Sequence, residues 1–268
     1  MSEVDWQRLR QAHYADAGEG IFVNHASWGL SPGASAAAMA DFALRRARID
    51  GIGFEEFGQV FERTRTALGR LVAAPAREIA LAPNTTFGIN LAAHLIRSTR
   101  SGGRIVLSEG EFPTNVLPWL PLRDAGFELD TVPLRDGLPD EEALVARVHE
   151  AGAVALTVSA VQFSSGYAAD LERLGAACRE AGVWFVVDAI QAAGVLPLEP
   201  ARWGVHLLAS GGQKWLCGPW GSGFCWVAPE LYEHLTPAHV SWLGVEGATD
   251  FGALDGGAEV VVGLAQVE

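Results

Sequence analysis

The sequence predicts an α/β fold with a mostly parallel sheet and helices on both sides of it. Strand-like and helix-like segments alternate along most of the 268 residues, and the connections between them are short, which is typical of parallel sheets. Several strand-like segments are unbroken runs of β-branched and aromatic residues, and residues 183–187 are the clearest of them. Such strands are buried on both faces, as in a sheet covered by helices. The length allows one or two domains.

The elements follow one another in a regular order. Residues 1–20 are predicted to form a short polar helix or arm, and residues 35–72 have the apolar periodicity of helices. The segments predicted to be strands are 78–83, 103–108, 127–133, 153–159, 183–187, 205–209 and 222–228. The segments predicted to be helices between them are 84–100, 140–151 and 170–182.

Composition and motifs argue against several classes of function. The formal net charge of −13 disfavours a nucleic acid or an anionic membrane as a main partner. The three cysteines, Cys178, Cys217 and Cys225, lie at no metal-ligand spacing and are expected to be reduced core residues, and the scattered histidines form no zinc pattern. A polar N-terminus and the lack of a long apolar run make the cytoplasm the expected location. Neither a dinucleotide-binding Gly-x-Gly-x-x-Gly nor a Gly-x-Ser-x-Gly hydrolase motif stands in the required place.

The chain contains a single lysine. Of its 19 basic residues 18 are arginines, and Lys214 lies in the apolar, glycine-rich segment 205–227. Arginine can replace lysine as a surface charge, but only lysine loses its proton on desolvation and condenses with a carbonyl group. The isolated lysine therefore indicates amine chemistry. The other interpretation is that Lys214 has remained by chance in a chain whose composition favours arginine.

A carboxylate is predicted close to this lysine. Asp188 directly follows the buried strand 183–187, and Lys214 comes just after the next strand, 205–209. Sheets of this class place ligand contacts at the carboxyl ends of their strands. A lysine and a carboxylate at neighbouring strand ends are what pyridoxal phosphate requires, because the lysine holds its aldehyde and the carboxylate keeps its ring nitrogen protonated. The alternative for Asp188 is a helix N-cap.

Two segments carry a family resemblance. VVDAIQAAG and SGGQKWLCGPWGSGF resemble the class V aminotransferase-like pyridoxal-phosphate enzymes of fold type I, a group that includes cysteine desulfurases, isopenicillin N epimerase and kynureninase. The resemblance extends from IFVNHASWG near the start to SWLGVE near the end. It implies a fold type I large domain, pyridoxal 5'-phosphate as cofactor, Lys214 as the residue of the internal aldimine, and Asp188 as the partner of the ring nitrogen. It also implies an amino-acid substrate and a homodimer.

The resemblance also implies a phosphate site. Residues 84–90 begin a helix, and the free N–H groups and the macrodipole at a helix start attract an anion. In the family this turn holds the cofactor phosphate, which assigns that role to Thr85 and Thr86. A plain N-cap predicts the same sequence. Gln213 stands where relatives often carry a phosphate-contacting histidine, and its amide can still donate to a phosphate.

The remaining contacts implied by the resemblance surround the cofactor ring and the substrate. Phe112 is expected to stack on the ring, where desulfurases carry a histidine that can also transfer protons. Gln162 is expected to contact the ring hydroxyl, and Gln191 is expected beside the ring or its phenolic oxygen. Asn24 and His25 are candidates for the substrate pocket. A buried turn with His25 hydrogen-bonded to the backbone is the alternative.

The resemblance divides the chain and leaves two functions open. Residues 1–20 are expected to be an N-terminal arm, residues 21–245 the cofactor-binding large domain, and residues 246–268 an atypical tail. The C-terminal small domain of the family, with the arginine that grips the substrate carboxylate, is expected to be absent. One function is an enzyme acting on an amino acid by epimerisation, elimination, hydrolysis or transamination. The other is a catalytically impaired remnant or a cofactor-binding subunit.

Overall fold

The fold is seen in a computed structural model, which describes residues 4–235. The strands are β1 (Ile79–Leu81), β2 (Gly103–Ser108), β3 (Phe127–Val132), β4 (Ala153–Ser159), β5 (Trp184–Asp188), β6 (Leu207–Gly211) and β7 (Gly223–Val227). The helices are α1 (Trp6–His13), α2 (Gly33–Arg46), α3 (Phe54–Leu71), α4 (Thr85–Thr99), α5 (Glu141–His149), α6 (Leu171–Ala181) and α7 (Pro200–Trp203). Short 3-10 helices cover Ala76–Glu78, Pro113–Asn115, Leu117–Ala125 and Pro229–His234. The predicted tail, 246–268, and the predicted boundary at residue 245 lie outside the described residues.

The strands form one mostly parallel sheet, which confirms the predicted fold class. Their order is β1-β7-β6-β5-β4-β2-β3, and β2 to β6 run parallel to one another, whereas β7 is antiparallel to both of its neighbours. The helices α4, α5 and α6 pack against this sheet. The register places Ser159 of β4 beside Asp188 of β5, and Asp188 beside Ala209 of β6. The carboxyl ends of three neighbouring strands therefore meet at one edge.

Most predicted elements are present, and one strand is displaced. The strands predicted at 103–108 and 153–159 have those bounds in the structure, whereas the strand predicted at 205–209 is Leu207–Gly211. Val205 is drawn into the preceding turn, because its N–H donates to the carbonyl of Pro200. Gly211 extends the ladder instead, by pairing with Gly223 of β7. As a result β6 ends close before Lys214.

The helices α2 and α3 form an exposed pair that precedes the sheet. The two helices are in contact where the ring of Phe42 packs edge-on against that of Phe57, with centroids 6.2 Å apart. A second contact is the hydrogen bond of 2.8 Å that Arg45 donates to Glu56. Many of their apolar side chains face outward in the structure. We define the exposed helical surface as Met39, Phe42, Phe54, Phe57, Val60 and Phe61, all of which are exposed.

The described residues contain three cysteines, all of them free. Cys178 and Cys225 are free and buried, as expected, whereas Cys217 is free and only half-buried in the turn after Lys214. Within residues 4–235 no helix combines the length and apolarity needed to cross a membrane. The same residues contain no cluster of His, Cys, Asp and Glu side chains suited to a metal ion.

Helix α4 approaches the sheet unusually closely. A Cβ atom built on Gly88 would lie 2.5 Å from the Cβ of Ala209 and 2.5 Å from the Sγ of Cys225. Both distances are far below van der Waals contact, so only glycine fits here without movement of β6 or β7. This contact fixes the start of α4 over the carboxyl ends of the strands.

We expect Gly88→Ala to lower the free energy of unfolding by about 1–3 kcal/mol, because an added methyl group overpacks this contact. Gly58→Ala is the matched control, since Gly58 lies on α3 with nothing within 4 Å of an added Cβ. That substitution should stabilise the protein by up to about 1 kcal/mol through helix propensity. Urea denaturation followed by circular dichroism measures both. Equal effects of the two substitutions would contradict the close approach of α4.

Candidate active site

A cavity of about 630 Å³ opens at the carboxyl ends of the strands. Its walls come from the segment before α2, the start of α4, and the loops that follow β2, β4, β5 and β6. All but two of the residues predicted for the site line this cavity, namely Asn24, Thr85, Thr86, Phe112, Asp188, Gln191, Gln213 and Lys214. The exceptions are Gln162 and His25.

Asp188 brings a buried carboxyl group to the cavity. Its Oδ1 accepts from the N–H of Ile190 at 3.0 Å, whereas Oδ2 is buried and has no hydrogen-bond partner among the described residues. Burial raises the pKa of Asp188 to about 7. The charge of Glu111 adds to this upward shift, whereas the hydrogen bond from the Ile190 N–H and the charge of Lys214 oppose it. No helix follows Asp188, so the N-cap alternative is wrong. A buried acceptor without a donor is costly, and it is suited to a ligand that brings the donor.

Lys214 lies in the same cavity and is half-buried. Burial lowers the pKa of its amine, and the charge of Asp188 opposes that shift. A lowered pKa increases the neutral, nucleophilic fraction of an amine. The Nζ atom lies 5.5 Å from the centroid of the Phe112 ring, and Phe163 packs edge-on against that ring at 5.1 Å. The lysine therefore shares the cavity with an aromatic wall.

The start of α4 supplies polar groups to the cavity. The N-cap is Asn84, whose Oδ1 accepts from the N–H of Phe87 at 2.9 Å. Thr85 is buried, and its hydroxyl accepts from the N–H of Gly211 at 2.8 Å. The hydroxyl of Thr86 lies 3.0 Å from that of Thr114. Asn84 makes the cap, so Thr85 and Thr86 are the first two residues of a 15-residue helix. They lie at its positive end, where an anion is favoured.

Gln191 joins two walls of the cavity. Its Nε2 donates to the carbonyl of Ala26 at 3.0 Å, and its Oε1 accepts from the indole N–H of Trp215 at 2.8 Å. A second link runs from the N–H of Gly29 to the carbonyl of Gln213 at 2.8 Å. The segment before α2 is thus held against the loop that carries the lysine. Gln191, which is predicted to lie beside the cofactor ring, therefore lines the cavity with its amide already engaged by Ala26 and Trp215.

His25 lies on the other side of that segment. Asn24 faces the cavity, but His25 stacks on Trp215, with ring centroids 5.2 Å apart and planes at 19°. It lines a separate cavity of about 380 Å³, together with Arg10 and Tyr14. The prediction that both Asn24 and His25 line one pocket therefore holds only for Asn24, because the chain turns at residues 25–27, where the carbonyl of Asn24 accepts from the N–H groups of Ser27 and Trp28.

Gln162 does not reach the cavity. Its Nε2 donates to the carbonyl of Glu109 at 3.2 Å, and its Oε1 accepts from the hydroxyl of Ser165 at 2.6 Å. The loop after β4 is turned tightly, since the N–H of Gln162 donates to the carbonyl of Tyr167 at 2.8 Å. The next residue, Phe163, lines the cavity instead. The prediction for Gln162 is therefore wrong, and the residue of this loop that lines the cavity has no polar group for the ring hydroxyl.

A second buried carboxyl group, Glu111, lies next to the site and is absent from the predicted residues. Its Oε1 accepts from the N–H of Ser159 at 2.8 Å, and its Oε2 accepts from the hydroxyl of Ser159 and from the Nδ2 of Asn115 at 3.0 Å. Burial raises the pKa of Glu111, and these hydrogen bonds oppose the shift. The only signal in the sequence was its position directly before Phe112.

The fold and the cavity define a fold type I protein that is built to bind a cofactor between strand ends and a helix start. Residues 53–244 match aminotransferase class V, and the chain belongs to this family. Pyridoxal 5'-phosphate is the cofactor of the family and is assigned to this chain with it. The unpartnered Asp188 oxygen, the threonines at the start of α4 and the half-buried amine of Lys214 fit its ring nitrogen, phosphate and aldehyde.

Similar proteins span several activities. The isopenicillin N epimerase of Streptomyces clavuligerus is 30% identical over 258 residues, which cover 90% of this chain and 62% of the relative. The uncharacterized aminotransferase YcbU of Bacillus subtilis is 29% identical over 203 residues, which cover 75% of this chain and 53% of the relative. A cysteine desulfurase structure from Thermococcus onnurineus NA1 aligns with all of this chain and 67% of its own, with a TM-score of 0.85 and 25% identity. The chain therefore spans between about half and two thirds of these relatives.

We expect Asp188→Asn to remove a pH dependence from the stability of the cofactor-free protein. The pKa of Asp188 is raised from 3.8 to about 7 on folding, so its favourable contribution is complete below pH 4 and is lost as the pH rises to 7. Between these values the free energy of unfolding should fall by up to roughly 4 kcal/mol more in the unchanged protein than in the variant.

Denaturant titrations at a series of pH values measure this difference. Asp124→Asn, at an exposed carboxyl group, is the control and should retain the pH profile of the unchanged protein. Parallel pH profiles for Asp188→Asn and the unchanged protein would show that Asp188 is not a buried titrating group.

Proposed function

We propose that this chain is a pyridoxal-phosphate-dependent enzyme that acts on the amino group of an amino acid, with Lys214 as the residue that bonds to the cofactor aldehyde. The observation that carries the proposal is the pairing of two groups in one cavity. The buried, unpartnered oxygen of Asp188 and the half-buried amine of Lys214 face the same space at neighbouring strand ends. Relatives that include an epimerase and probable cysteine desulfurases favour an amino-acid substrate.

The proposed phosphate site is the start of α4. Thr85 and Thr86 would donate their hydroxyl hydrogens, the N-terminal N–H groups of the helix would add to them, and Gln213 would approach from the lysine loop. Each of these residues lines the cavity. Since the protein has a formal net charge of −13, such local donors must overcome the unfavourable charge of the whole chain.

The proposed ring site lies between Asp188 and Phe112. Asp188 would accept a hydrogen bond from the protonated ring nitrogen, which gives its Oδ2 the missing partner, and Phe112 would cover one face of the ring. A cation beside a buried carboxylate favours its ionised form, so Asp188 would be charged once the ring is bound. Gln191 would keep the walls in place, and Asn24 would lie on the substrate side. Gln162 is left out, because its amide is engaged by Glu109 and Ser165.

Lys214 is the proposed proton carrier. When bound, pyridoxal phosphate supplies an electron sink for a bond broken at the substrate Cα. Of the described residues that line the cavity, only Asp188 and Lys214 are ionisable at neutral pH, and Phe112 cannot transfer a proton. The lowered pKa of the Lys214 amine suits it to take a proton from the substrate Cα and return it to the product. The same group would therefore hold the cofactor and serve as the general base.

Among the described residues, the cavity offers no cation for a substrate carboxylate other than Lys214. No arginine is among the described residues that line the cavity, so none of them offers a bidentate grip on a substrate carboxylate. A cofactor-binding subunit with little turnover is therefore the second candidate. The two candidates differ in whether the protein exchanges the Cα proton of an amino acid.

We expect sodium borohydride to fix the bound cofactor on Lys214 and nowhere else. Because Lys214 is the only lysine in the chain, a digest of the reduced protein should contain one modified lysyl peptide, located by mass spectrometry. Lys214→Arg is the matched control, since it keeps the positive charge but cannot condense with an aldehyde. It should lose both the modification and the visible absorbance of the bound cofactor.

The same preparation separates the two candidate functions. Incubation with a panel of amino acids in deuterated water should exchange the Cα proton of at least one of them if the chain is an enzyme, and Lys214→Arg should abolish the exchange. A modified Lys214 without any exchange would favour the cofactor-binding subunit. Modification of another group, or visible absorbance retained in Lys214→Arg, would contradict the role of the lysine.

We also propose that the chain forms a homodimer through the exposed helical surface. The support is the apolar character of that surface, since large contiguous apolar patches on a folded protein mark interaction sites. Phe57→Asp should then raise the dimer dissociation constant at least tenfold in sedimentation equilibrium, because it places a charge in an apolar interface. Val195→Asp, at an exposed valine elsewhere, should leave it unchanged. A monomeric unchanged protein at all concentrations would refute the dimer.

A further inference from the structure

The carboxyl group of Glu111 fastens the loop after β2 to the edge of the sheet. Glu111 accepts hydrogen bonds from both the backbone N–H and the hydroxyl of Ser159, the last residue of β4. These contacts join positions that lie 48 residues apart in the chain. The side chain therefore fixes a loop, which carries Phe112, to a strand whose end lies beside Asp188.

A second anchor holds the other end of the same loop. Asn115 is fully buried, donates to Glu111, and accepts from the hydroxyl of Thr157 on β4 at 2.6 Å. Its carbonyl accepts from the indole N–H of Trp119 at 3.2 Å. Phe112 lies between these two anchors, in the wall of the cavity and 5.5 Å from the Nζ of Lys214. The position of this ring therefore depends on hydrogen bonds made by Glu111 and Asn115.

Burial raises the pKa of Glu111, and the three hydrogen bonds that it accepts oppose this shift and favour its charged form. All three donors point at one carboxyl group that is shielded from water, and a carboxylate that accepts several hydrogen bonds keeps its charge more readily. Among the described residues of this region, the charge of Glu111 acts on Asp188, and the charge of Asp188 acts on Lys214. A buried negative charge in this set stabilises a nearby cation, because the low dielectric strengthens their attraction.

We propose that Glu111 is a positioning residue of the cofactor site, which holds Phe112 against the cavity and places a second buried negative charge beside Asp188. The inference rests on the proposed function, in which a cationic ring nitrogen and the amine of Lys214 meet in this cavity. Glu111 itself does not line the cavity. It acts through the placement of Phe112 and through its charge, which raises the proton affinity of the cationic groups in the cavity.

The test is a pH titration of the visible absorbance of cofactor-loaded protein, with the cofactor dissociation constant measured by tryptophan quenching. Glu111→Gln removes the charge and nearly keeps the shape. We expect its titration midpoint to move to lower pH by about half a unit or more, because a lost negative charge weakens proton binding by nearby cations. The cofactor dissociation constant should rise about tenfold. Glu109→Gln removes an exposed charge from the same loop, and its midpoint should not move, since solvent screens that charge.

A role limited to folding would lower the thermal stability of Glu111→Gln and its cofactor affinity without moving the midpoint, and that result would overturn the proposal. If Glu111→Gln does not fold, Ser159→Ala replaces it, because it removes a hydroxyl donor that favours the charged form of Glu111 and so lowers the fraction of Glu111 that is charged. Its midpoint should move in the same direction by a smaller amount, and an unmoved midpoint would again overturn the proposal. Borohydride modification at Lys214 of the unchanged protein is scored separately, so failure of the proposed function is distinguishable from failure of the role of Glu111.

Discussion

The burial of the Asp188 carboxyl group at the end of β5 is the constraint on which the rest of the site depends. One of its oxygens is satisfied by the N–H of Ile190, and the other has no partner in the described part of the chain. Such a group costs free energy in the folded protein, and the well-packed sheet and helices around it must offset that cost. The free energy is recovered when a ligand supplies the missing donor, which is how a stable scaffold can hold a poorly satisfied group in readiness.

The neighbours of Asp188 follow from this constraint. Parallel pairing with β4 and β6 brings Ser159 and Ala209 alongside it, and the absence of a side chain at Gly88 lets α4 approach β6 and β7. The helix start then faces the strand ends, and the hydroxyl of Thr85 closes the gap by bonding to Gly211. Backbone geometry therefore places the carboxyl group of Asp188 at one end of the cavity and the positive start of α4 at the other. Side-chain contacts such as that of Thr85 then fix the distance between them.

The sequence predicted those parts of the site that are set by regular structure. Asp188 and Lys214 lie at or just after the ends of predicted strands, and Thr85 lies at the start of a predicted helix. Their position in space therefore follows from their position in the chain. The directions of loop side chains were not predictable in this way. The turn after β4 points Gln162 away from the cavity and Phe163 into it, and His25 faces away from Asn24. Glu111 was missed because its partner Ser159 lies far along the chain, and no local pattern marks such a contact.

The tie made by Gln191 has a consequence for the order in which the protein is assembled. Ala26 and Gln191 lie 165 positions apart, and β7 must insert between β1 and β6 before the sheet is whole. During synthesis the segment 24–29 leaves the ribosome early and has no partner until residues 191 and 213–215 have followed it. Contacts of such long range form late, because the entropy of closing the intervening chain opposes them. A nascent chain that stops before residue 213 would therefore lack both Lys214 and the loop against which the segment 24–29 is held.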